Sequence, residues 1–157
     1  MPQLKSILLA IELATRSRDD AAKALVQVTR NLGFSEEQME QLEGYSSDTD
    51  SRWISAPAGM FSAEMIRHHY QFMDRLQQAI GLQTGVIAEA HNQVDQASRN
   101  LLQAEFRLSG LNQILKARQA SLAQRNKRRE QTVTDEFAAM AFFRSKGSTV
   151  HGETYDN

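Results

Sequence analysis

Four histidines, a scatter of carboxylates and one run of cations are the residues of this chain whose types could do chemistry. The histidines are His68, His69, His91 and His151. His68 and His69 are adjacent, and on a helix neighbouring side chains point about 100° apart, so the pair cannot share one metal ion. They read as solvated helix histidines. A catalytic pair of carboxylates needs a buried pocket to separate its pKa values. The acids here fall on polar faces of helical patterns, so no acid–base pair is expected. No phosphate loop, dinucleotide glycine fingerprint or Gly-x-Ser-x-Gly elbow occurs. Cysteine is absent, which excludes disulfides and thiolate metal sites. The sequence therefore predicts no enzyme, no cofactor, no metal and no small-molecule substrate.

The cations are more informative. Lys116, Arg118, Arg125, Lys127, Arg128 and Arg129 form a run with no acid until Glu130. Glu36, Glu37, Glu40, Glu43, Asp48 and Asp50 cluster in the first half. Net charge is only -1, so the chain is polarised rather than basic. No aromatic platform sits among the cations and the overall charge is not basic, which weighs against nucleic acid. A solvated helix face or a protein partner of opposite charge fits better.

The elements that carry these residues follow from periodicity. Leu4, Ile7, Ile11, Ala14, Arg18, Ala21, Leu25, Val28, Leu32, Ser35, Met39 and Leu42 alternate steps of three and four. So do Met73, Leu76, Ile80, Gln83, Ile87, Ala90, Val94, Ala97, Leu101, Ala104, Leu108, Leu111, Leu115, Arg118 and Leu122. A 3.5-residue repeat held this long needs another helix along its seam. One seam position of the second series is large and the other mostly small, which lets two antiparallel helices approach closely. Gly81 and Gly85 lie inside the second series and mark a bend or a contact.

Tyr45 to Ser51 has turn chemistry and Pro57 disfavours helix at Ala56, so the connection is expected at about 46–60. Ser62 is the expected N-cap of the next helix. The predicted fold is all-α: an antiparallel coiled-coil hairpin over 1–144, helix one about 3–45 and a longer helix two about 61–143. A disordered tail is expected over 145–157. On these bounds residue 4 pairs near residue 100, leaving Leu108, Leu111, Leu115 and Leu122 without a partner in the chain, so another chain would cover them. The longest apolar runs, 7–11 and 137–143, are far below the roughly 20 residues of a membrane span. No signal peptide is read at the N-terminus.

Three segments resemble the flagellar export protein FliJ family. They are Ala21-Ala22 with Glu36 to Tyr45, Tyr70 to Ile80, and Lys127-Arg128 leading to Asp135-Glu136-Phe137-Ala138 with Arg144 and Lys146. The resemblance implies a cytoplasmic stalk of the flagellar type III export apparatus, held at the inner face of the membrane through its partners. Those partners are the export ATPase ring, the export gate membrane protein and export chaperones. By motif match it implies a gate contact at Phe72, Leu76 and Ala79, with Gln83 standing where family members often have His. Gln38, Leu42 and Tyr45 match positions near the hairpin tip, with Thr49 in place of a second Tyr. The expected ring-binding end combines the unpaired seam and the cations: Leu115, Arg118, Leu122, Arg125, Lys127, Arg128 and Arg129. The rival readings are a virulence-system stalk, a self-assembling coiled coil and a nucleic-acid binder.

Overall fold

A computed structural model describes residues 2–150, and the side chains of 3–147. Two helices make up the chain: α1, Pro2–Ser55, and α2, Ala63–Val150. They pair as a helical hairpin, and no strand occurs among the described residues. The two seam series are the pairing surfaces. Every residue in them is buried or half-buried except Arg118, which is exposed. Ile7, Ala14, Leu76, Ala90, Ala97 and Leu108 are the most deeply buried apolar residues. Four of the six lie on α2, and two of those are alanines on the small side of its seam, where close approach leaves little open surface.

The connection differs from the expectation. α1 runs ten residues beyond Tyr45, to Ser55, and among the described residues only 56–62 are non-helical. The seam continues past Leu42 in the same three-four step, through Ser46, Thr49, Trp53 and Ala56, all half-buried. The serines and aspartates here resemble a turn because their intrinsic helix propensity is poor. The deficit is only about 0.5 kcal/mol per residue, and pairing along a seam outweighs it. Ser55 turns its hydroxyl back onto the Ser51 carbonyl at 2.7 Å. Pro57 then ends the helix, because its ring disfavours helical backbone at Ala56. Gly59 takes a positive φ of 88°, and the Met60 N–H donates to the Pro57 carbonyl at 3.3 Å. Ser62 caps α2 as expected: its Oγ accepts from the Met65 N–H at 3.2 Å.

The shifted connection moves the register. With helix one ten residues longer, residues near Leu4 lie against the level of 118–125 rather than 100, and Gln3 and Leu4 line one groove with Arg118, Ser121, Leu122 and Arg125. The expectation that Leu108 to Leu122 lack an intrachain partner is thus corrected. Leu108 is buried, and Leu111, Leu115 and Leu122 are half-buried. Every residue from Ala123 to Gly147 is exposed instead. The expected unstructured tail is corrected in part, since α2 continues through residues 145–150; residues 151–157 lie outside the described residues.

The chain divides into two compact units, Ile11–Leu108, and Met1–Ala10 with Ser109–Asn157. No large side chain among the described residues is fully enclosed. Each layer of the pairing is a few side chains deep, so protection from water is partial everywhere.

Candidate partner-binding surfaces

Within Ile11–Leu108, the stripe from Phe72 to Gln83 is not one free face. Leu76 is 8% exposed and belongs to the seam. Ala79 is half-buried. Gln83 turns inward: its Nε2 donates to the Ser35 carbonyl at 2.8 Å and to Gln38 Oε1 at 3.3 Å. Phe72 is 49% exposed and is the member of the stripe that presents a large apolar surface outward. Leu76 and Gln83 therefore hold the hairpin together, and Phe72 is available to a partner.

Gln38, Leu42 and Tyr45 also separate by role. Gln38 is exposed and accepts the Gln83 amide, Leu42 is half-buried in the seam, and Tyr45 is exposed. None of the three is at the tip. The tip is built from Trp53 and Phe61, which the sequence did not single out, with His69 and Tyr70. Trp53 lies face to face with Phe61, centroids 4.3 Å apart, and with His69 at 3.9 Å and an interplanar angle of 4°. Tyr70 packs edge-on to His69 at 5.9 Å. His69 is thus a stacked ring rather than a solvated one. The available signal was the seam itself, since Trp53 falls in its step.

His91 Nε2 lies 3.8 Å from Glu36 Oε1, a pair that crosses from helix to helix at the surface. No group of three metal-ligating side chains occurs among the described residues. Nor is any described helix long and apolar enough to cross a membrane.

The unit containing Ser109–Asn157 carries the cations. Leu115 and Leu122 are half-buried beside exposed Lys116 and Arg118. Arg125, Lys127, Arg128 and Arg129 are exposed, and none has an ion pair among the described residues. Beyond them α2 exposes Val133, Phe137, Met140, Phe142 and Phe143. Val133, Phe137 and Met140 follow a step of four and three, so they share one side of the helix. Phe137, Met140, Ala141, Arg144 and Ser145 line a shallow groove there. Phe142 meets Phe143 edge-on at 6.3 Å, and Lys146 Nζ sits 5.3 Å from the Phe142 ring centre. From the sequence, 137–143 is too short for a membrane span and its first two residues belong to a family-like segment, but periodicity alone did not mark it as a surface.

A helical hairpin whose described residues include no fully enclosed large side chain, with cations that have no ion pair and an exposed apolar stripe, defines a class: a coiled-coil protein with unpartnered outer surface. A model of the flagellar FliJ protein family matches residues 4–147. That is nearly the whole chain, and the protein belongs to that family, a non-catalytic component of the flagellar export apparatus. No curated protein matches the chain.

Proposed function

We propose that this chain is a stalk and chaperone escort of the flagellar export apparatus, engaging the export ATPase ring through its terminal end and the export gate through helix two. The observation that supports the ring contact is the exposure of the whole 123–147 stretch, cations first and aromatics after. A single helix that exposes Val133, Phe137, Met140, Phe142 and Phe143 is costly to leave in water. Unpaired arginines beside it favour an acidic socket, which would quicken encounter and select the partner. Leu115 and Leu122 act in this reading as the base of the grip and the cations as its reach. On helix two, Phe72 is the anchor for the gate, with Ala79 beside it. The protein would reach the inner face of the cell membrane through these partners.

The test is titration of the full chain into its cognate export ATPase while following hydrolysis and ring formation. Reversing Arg125, Lys127, Arg128 and Arg129 to Glu should cut the stimulation at least tenfold, with helicity by circular dichroism unchanged. Full stimulation by the reversed protein would reject the site. A second reading, self-assembly, draws on the same exposed stripe at Val133, Phe137 and Met140. Sedimentation at low micromolar concentration separates the two, because the stalk reading requires a monomer in the absence of the ATPase.

A further inference from the structure

One level of the Ile11–Leu108 unit differs from the rest of the coil in several ways at once. Ser35, the buried polar residue of the α1 seam, lies opposite Gln83, a polar residue of the α2 seam. Gly33 stands two residues before Ser35, and Gly81 and Gly85 stand two residues either side of Gln83. A Cβ added at any of the three glycines would meet nothing within 4 Å. Packing within the hairpin therefore gives no reason for glycine at these positions. Each one weakens its helix, by about fivefold in the local opening equilibrium relative to alanine.

The hydroxyls act in the same sense. Ser35 Oγ donates to the Asn31 carbonyl at 2.9 Å, and Thr84 Oγ1 donates to the Ile80 carbonyl at 2.9 Å. Such back-bonding loosens and bends a helix. Thr15 and Thr29 bond back to Ile11 and Leu25 elsewhere on α1, but no glycine lies within three residues of either. A shallow surface groove lined by Asn31, Ser35, Leu82, Gly85 and Val86 starts at this level and runs on along α2 to Gln93.

We infer that this level is a joint: both helices are weakened together, and the Gln83 amide, bridging to the Ser35 carbonyl and Gln38, clasps them in register. A polar residue in an apolar seam fixes which layers face each other at some loss of stability. Here it does so where the helices are easiest to bend. Residues 36–82 can then flex about the joint without the pairing slipping.

Hydrogen exchange on the full chain tests this. Amides at 33–36 and 81–86 should exchange at least tenfold faster than those at 21–28 and 94–101. Combining Gly33→Ala, Gly81→Ala and Gly85→Ala should slow exchange at the joint at least tenfold and leave the flanking segments unchanged. Gln83→Ala removes two cross-helix hydrogen bonds and should speed it at least about fivefold on both helices, the worth of one such bond. Even protection along the natural chain, no response to the alanines, or a Gln83→Ala effect confined to α2 would each overturn the joint.

Discussion

Helix two is two different surfaces in one element. Between Met73 and Leu108 its seam is matched by a facing helix, and its polar seam residue, Gln83, has both cross-helix hydrogen bonds made. Between Ala123 and Gly147 no residue is sheltered, and the cations Arg125 to Arg129 have no ion pair among the described residues. The first region is stabilised by what the chain itself supplies; the second carries groups that the chain does not use. Substitutions should therefore register as stability in the paired region and as binding in the unpaired one.

The sharpest break of that contrast is the fourfold charge reversal at Arg125, Lys127, Arg128 and Arg129, where binding should collapse and the melting curve should barely move. Next is a pair of residues four apart. Leu76→Ala removes a seam side chain and should cost about 2–3 kcal/mol, read as a lower midpoint in urea. Phe72→Ala should cost well under half of that yet weaken capture of the export gate protein more than Leu76→Ala does. Equal destabilisation by the two would erase the distinction between holding and presenting residues. At the tip, His69→Ala removes one face of the stack and should cost about 1 kcal/mol. Trp53 is the sole tryptophan, so its fluorescence reports the change directly; an unaltered spectrum would mean the stack does not persist in solution. The smallest effect belongs to Glu36→Gln. That exposed pair with His91 should shift the melting temperature by no more than about 2 °C.

The helical hairpin was legible in the sequence because the three-four step was carried by apolar residues from Leu4 to Leu42 and from Met73 to Leu122. Each of those residues but Arg118 is sheltered in the structure. The end of helix one was not legible, since Ser46 and Thr49 occupy seam positions with turn-favouring side chains. Local propensity and heptad step gave opposite signals there, and a facing helix decided between them. That single misplacement propagated, moving the expected bare seam some twenty residues toward the chain's middle. Of the candidate site residues, the exposure of the cations was legible from the absence of neighbouring acids. The inward turn of Gln83 was not, because nothing local shows which carbonyl an amide will find. Trp53 and His69 were missed for a related reason: stacking joins residues sixteen apart across a connection whose position was itself displaced.

The lack of any fully enclosed large side chain among the described residues bears on how such a protein can change over time. Since no common centre binds distant layers, a seven-residue insertion in α1 matched by another in α2 would add two layers and disturb little else. The length of the pairing becomes a quantity that can be adjusted in whole repeats, like links added to a chain, while the residues on either side of each insertion stay as they are.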